Sequence, residues 1–113
     1  NTVSDAAGTG PVTLTGQSAA KVWASLNSSF AISDSFNVSS SADLGTANSE
    51  INYTNSLTGT PTGSVAADAS TAAPWFTVVD TIGTTLSRAV TFDNNGSLRD
   101  GRPTYYIIHG DLA

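Results

Sequence analysis

Apolar side chains in this chain recur at every second position in short runs, and no stretch of ten or more residues carries them at the three-to-four spacing of a helix. Val22, Ala24 and Leu26 share one side of an extended segment, with Lys21, Trp23 and Ser25 on the other. Phe30 with Ile32, and then Phe36, Val38 and Ser40, continue the alternation. Asn27-Ser28-Ser29 and Ser33-Asp34-Ser35 lie between these runs and read as turns. Ser and Asn at the intervening positions also compete with helical hydrogen bonds.

The same reading extends to the C-terminus. SEINYT, residues 49–54, sets Ile51 and Tyr53 against Glu50 and Asn52 and reads as a half-buried strand. WFTVVD, residues 75–80, is apolar on both faces, so a central strand is expected there. In TLSRAVTFD, residues 85–93, Leu86, Arg88, Val90 and Phe92 share a face. NNGS at 94–97 has hairpin-turn chemistry, because Asn and Gly accept positive φ. RDGRP at 99–103 is a second turn, and TYYIIHG at 104–110 a final apolar strand. The Thr, Gly and Ala of residues 57–74 give the faintest pattern. Seven or eight strands with turns about every 8–12 residues predict an all-β fold, a small antiparallel β-sandwich.

Composition narrows the function classes. Ser and Thr fill 32 of the 113 positions and charged residues only 12%, so solubility rests on hydroxyls and amides, a lean toward extracellular or particle-surface β proteins. The net charge is −5, and Lys21, Arg88, Arg99 and Arg102 are the only cations. Binding nucleic acid or an anionic membrane takes several clustered Lys or Arg, so neither partner is expected. No apolar run approaches the length of a membrane helix. The absence of Cys excludes disulfides, thiolate metal sites and Cys nucleophiles. The absence of Met is expected of a piece cut from something longer or of a processed form. Residues 1–19, with three Gly, one Pro and a short VTLT run, read as an extended lead-in or linker to a domain over 20–113.

Two stretches carry a family resemblance. AKVWASLNSSFAISDSFNVSS, residues 20–40, followed by SEINYTNSL, resembles a module near the C-termini of tail-fibre-type proteins of tailed bacteriophages. The matching parts are Ala20-Lys21-Val22-Trp23, Ile32 to Ser40, and Ile51 to Asn55. Only Thr54 separates Tyr53 from Asn55, one residue fewer than in the family, and Ser28-Ser29 stands where the family has a longer Gly/Thr-rich turn. YYIIHGDLA is similar to the family's last strand and tail, and the lead-in resembles the linker before the module. The resemblance implies a virion protein on the surface of a phage particle: a homotrimeric domain mounted through its N-terminal side, with other virion proteins as partners and host-surface attachment as its role. Two alternatives stay open, a capsid decoration or head-appendage protein and a carbohydrate-binding module.

The chemistry-bearing residues are few. His109, the only histidine, lacks a nucleophile context of the G-x-S-x-G kind, and the nine acids are scattered, so no enzyme and no cofactor is expected. A metal would need three copies of His109 gathered on a trimer axis. Asp93 to Asp100 invites a calcium-loop reading, but Leu98 and Thr104 stand where that loop needs Gly and Glu. Trp23, Tyr53, Tyr105 and Tyr106 lie in strands and read as core or subunit packing. Trp75, after Pro74 at a loop edge, and the turn residues Arg99, Asp100 and Arg102 are the candidate contacts with a host glycan or protein.

Overall fold

The computed structural model describes residues 19–67 and 74–113. Its eight strands are β1 Val22–Leu26, β2 Ile32–Phe36, β3 Val38–Asp43, β4 Asn48–Tyr53, β5 Leu57–Ala67, β6 Phe76–Ile82, β7 Leu86–Phe92 and β8 Thr104–Leu112. All pairings are antiparallel. They form two four-stranded sheets, ordered β2-β1-β8-β5 and β3-β4-β7-β6, packed as the expected sandwich. VTLT of the lead-in lies outside the described residues. Among the described residues no helix is long and apolar enough to cross a membrane.

Sequence and strand part company in four places. Ser33-Asp34-Ser35 is strand, not turn: it lies inside β2, where Ser35 faces Ala24 and Asp34 faces Ser25. The expected turn at Asn27-Ser28-Ser29 is present and runs on to Ala31, where the Asn27 side chain accepts the amides of Ser29 (2.9 Å) and Ala31 (3.1 Å). Phe36 and Val38 do not share one strand. Asn37, at φ 57°, takes the chain from the first sheet to the second, in a conformation that Asn tolerates better than most residues. The faint segment 57–74 contains the longest strand, β5, whose Pro61 is accommodated at a bulge on a sheet edge, where a missing donor does no harm. WFTVVD is not central: β6 is the edge of its sheet, and Phe76 and Val78 face solvent.

The core lies between the sheets. Val22, Ala24, Leu26, Tyr106 and Ile108 come from the central strands of the first, and Ile51, Tyr53 and Ala89 from those of the second. Phe30 and Leu57 close the ends. Hydroxyls are buried with them: Ser49, Ser87, Thr91 and Thr104 are almost fully covered. The Tyr106 hydroxyl crosses from β8 to β4, donating to the Ser49 carbonyl (3.0 Å) and lying 2.6 Å from Ser49 Oγ. The Tyr53 hydroxyl pairs with Ser87 Oγ. Buried Tyr is tolerated because its polar tip is satisfied.

The register fixes two unlike ends. At one end the chain enters at Lys21, whose amide donates to the Ile108 carbonyl (2.9 Å), and the last residue, Ala113, donates to Ser56 (2.9 Å). Asn37 and Asn55 tie the two sheet-to-sheet crossings together there: Asn37 Oδ1 accepts the Asn55 amide (2.7 Å) and Nδ2 donates to its carbonyl (3.1 Å). At the other end lie the β1–β2 turn, the β3–β4 turn, the approach to β6 and the long β7–β8 connection.

Candidate functional site

Trp75, Arg99, Asp100 and Arg102 all fall at this second end, the loop end. Trp75 leads into β6, and the other three belong to the connection between β7 and β8. That connection is built by Asp93. Its carboxylate accepts the amides of Asn95 and Ser97 (2.9 Å each) and the Nε of Arg99 (2.7 Å), which closes the Asn94–Ser97 turn with Gly96 at φ 79°. The NNGS turn is therefore real, but it closes only on the single bridge Phe92–Leu98, and the next strand, β8, belongs to the other sheet. With its oxygens committed to these three donors, Asp93 is an organiser of the loop.

Each candidate has a distinct setting. The Arg102 guanidinium lies over the Trp75 ring, 4.9 Å from its centroid. This cation–π stack fixes a flat apolar surface beside a charge. Among the described residues no carboxylate pairs with Arg102. The Arg99 side chain is 55% exposed although its Nε is held by Asp93. Asp100 reaches across to the β3–β4 turn, where Oδ1 accepts the Ala47 amide. Ala47 is buried at φ 67°, and its carbonyl accepts the Thr91 amide (3.1 Å). Asp100 thus positions one loop on another as well as offering a charge.

Sequence reasoning missed two further features of this end. Leu44 and Leu98 are half-exposed apolar residues of the β3–β4 turn and the β7–β8 connection. Nothing in the periodicity singles them out, because both sit outside the alternating runs. His109 lies at the opposite end from Trp75, on the outer face of the first sheet, across from Thr62. Among the described residues no three His, Cys, Asp or Glu side chains gather in a way that could hold a metal ion. Of the tyrosines and the other tryptophan, Tyr53 and Tyr106 are core, Trp23 is partly buried, and Tyr105 is exposed on the outer face of the first sheet.

Two ion pairs make the fold acid-sensitive. Arg99 beside Asp93, with the Ser97 and Asn95 amides, holds the Asp93 carboxyl below its usual range against the cost of burial. The hydrogen bond from Arg88 (2.7 Å) does the same for Glu50. An unfolded chain takes up these protons near pH 4, the folded chain only at lower pH. Within that window the unfolded state binds more protons, so stability rises with pH and falls on acidification. The melting temperature is expected to drop as pH falls below about 4, and Asp93→Asn is expected to flatten that slope in thermal scans across pH.

Comparison with known proteins gave no match. The chain matches no protein-family model, no curated protein and no solved structure.

Proposed function

We propose that the chain is a distal β-sandwich domain of a tail-fibre-type appendage on a phage particle, acting as a homotrimer in host-surface attachment. The observation that carries this reading is polarity. The chain enters the sandwich at Lys21, at one end, and the four candidate contact residues lie at the other. A domain held by its lead-in therefore turns Trp75, Arg99, Asp100 and Arg102 outward. The sequence resemblance of residues 20–55 and 105–113 supplies the virion context. The mechanism is non-covalent: weak contacts at each loop end, multiplied by three copies, give avidity.

The ligand class that suits the loop end is a host glycan or glycan-bearing protein. An indole face packs against the apolar face of a sugar ring, and a guanidinium beside it pairs with a carboxylate, phosphate or hydroxyl. Competition of particle adsorption by the purified domain tests the reading. The wild-type domain is expected to block adsorption, and Trp75→Ala together with Arg102→Ala to weaken the block about tenfold or more while leaving the melt cooperative. A double variant that competes as well as wild type would remove the loop end from attachment. Electron microscopy of labelled particles separates the capsid-decoration reading: label on the head shell instead of the fibre would decide for it.

A further inference from the structure

Of the eight asparagines only Asn95 precedes a glycine. That pairing is chemically labile, because a glycine nitrogen, unhindered by a side chain, can attack the neighbouring amide carbon. Asn95 and Gly96 are both exposed, at the tip of the turn that Asp93 builds. A Cβ placed on Gly96 would meet nothing within 4 Å, so a ring closing there has room. The other asparagines of the sandwich are better held. Among the described residues the side chains of Asn27, Asn37, Asn48, Asn52 and Asn55 each make a hydrogen bond, and that of Asn95 makes none. The one Asp-Gly pair lies in the same connection, but Asp100 is docked on the Ala47 amide, and a carboxylate carries no amine to expel.

We propose that the Asn95–Gly96 peptide is a site of self-modification, and that the Asp93 turn governs how fast it reacts. The Gly96 nitrogen attacks Asn95 Cγ. The N–Cγ bond forms, the Cγ–Nδ2 bond breaks, and Nδ2 leaves as ammonia, taking the Gly96 amide proton. Water, the only co-reactant, then opens the resulting succinimide at either carbonyl. One opening gives an aspartyl residue at position 95. The other gives an isoaspartyl residue, whose main chain runs through Cγ and is one methylene longer.

The closed turn restrains this chemistry. The Gly96 amide donates to the Asp93 carbonyl (3.0 Å), the Asp93 amide donates to Ser97 (2.9 Å), and the Asp93 carboxylate accepts the Asn95 and Ser97 amides (2.9 Å each). A nitrogen held in this way is not free to swing onto Cγ, and ring closure needs the two atoms in near-attack geometry. The reaction therefore runs through the opened turn, at a rate proportional to the population of that state. Either product sets a new carboxylate beside Asp93 and Arg99, which are paired at 2.7 Å. The isoaspartyl product also lengthens the connection that carries Arg99 and Arg102. An aged loop end thus binds less well than a fresh one. That consequence rests on the attachment reading proposed above, whereas the chemistry at Asn95 does not.

Incubation of the intact chain at mildly alkaline pH, followed by peptide mapping and isoaspartyl-directed enzymatic methylation, tests the site. Asn95 is expected to lose its amide about tenfold or more faster than any other asparagine, and Asn95→Gln to remove the methylation signal. Asp93→Ala is expected to speed the loss about tenfold by opening the turn. Where that variant does not melt cooperatively, Asp93→Asn, which keeps an acceptor for the two amides, takes its place with a smaller rise. An Asn95 amide that outlasts the others overturns the site. Equal rates in wild type and a folded Asp93 variant overturn the control by the turn. Competition of particle adsorption reads the consequence: aged wild type is expected to lose about tenfold in potency, and aged Asn95→Gln to keep it. Modified wild type that competes like fresh protein overturns the effect on attachment. Fresh wild type that fails to compete removes the attachment reading and that effect together, while the mapping alone decides the chemistry.

Discussion

Tyr106→Ala lowers stability by about 3–5 kcal/mol, the range for emptying a buried aromatic site. Tyr106 is 1% exposed in the centre of the first sheet. Its ring fills the space between the sheets, and its hydroxyl holds Ser49 of the facing sheet through two contacts. Total stabilities of 5–15 kcal/mol leave little after such a loss, so urea denaturation of the variant begins near zero denaturant. Tyr106→Phe keeps the ring but strips Ser49 of its partner, an expected cost of about 1–3 kcal/mol. The two variants also differ in alkali. Burial pushes the Tyr106 hydroxyl up to about 12 from its ordinary value near 10. Between those values the unfolded chain has released a proton that the folded chain keeps, so the unfolded state binds fewer protons and stability falls as pH rises. The fall amounts to about 3 kcal/mol across the interval. Tyr106→Phe lacks this contribution, and its melting temperature is expected to decline less steeply above pH 10. Tyr53, also raised by burial, keeps the slope from vanishing.

Gly63→Ala is the second large effect, an expected loss of about 1–3 kcal/mol from overpacking. Gly63 lies in β5 opposite Ile108 of β8. A Cβ there would stand 2.5 Å from the Ile107 carbonyl oxygen, 2.9 Å from Ile108 Cγ1 and 3.0 Å from Ile108 Cα. Two of those atoms belong to the backbone, so relief requires the ladder itself to part. The gain from restricting the unfolded chain, about 0.4–1 kcal/mol, does not offset that. Amide hydrogen exchange checks the mechanism, since protection should fall first along β5 and the β5-facing side of β8.

Most of the strand inventory is legible in the alternation, because a pleated chain with one buried face must alternate. Which face is buried is a different matter. In β7 hydropathy favours Leu86, Val90 and Phe92 for the interior, yet Ser87, Ala89 and Thr91 occupy it. Large rings occupy the interior beside it: Tyr106 and Tyr53 both belong to the core, and the Tyr53 hydroxyl meets Ser87 Oγ, so small hydroxyl and methyl groups complete the β7 side. Packing is a property of two facing strands, and one strand's sequence does not contain it. The edge position of β6 is hidden for the same reason, since an apolar run covered on one side reads like a run covered on both. β5 was faint because its Thr, Gly and Pro carry little hydrophobic contrast, and its partner β8 lies far along the chain. At the loop end, the places of Trp75 and of the Arg99–Arg102 segment between strands were legible from Pro and Gly punctuation, although residues 99–103 form an irregular connection and not the expected turn. Asp93's organising role and Ala47's link to Asp100 were not, because they depend on contacts between loops remote in sequence.

The entry of the chain through β1 has a mechanical side. β1 lies between β2 and β8, bonded to both along its length. A pull at Lys21 opposed at the loop end runs parallel to the strands and at right angles to their hydrogen bonds. Both ladders then share the load at once and must slide together before any part yields, whereas a pull across the sheet would peel them bond by bond. Force along the strands is thus met in shear across two ladders at once.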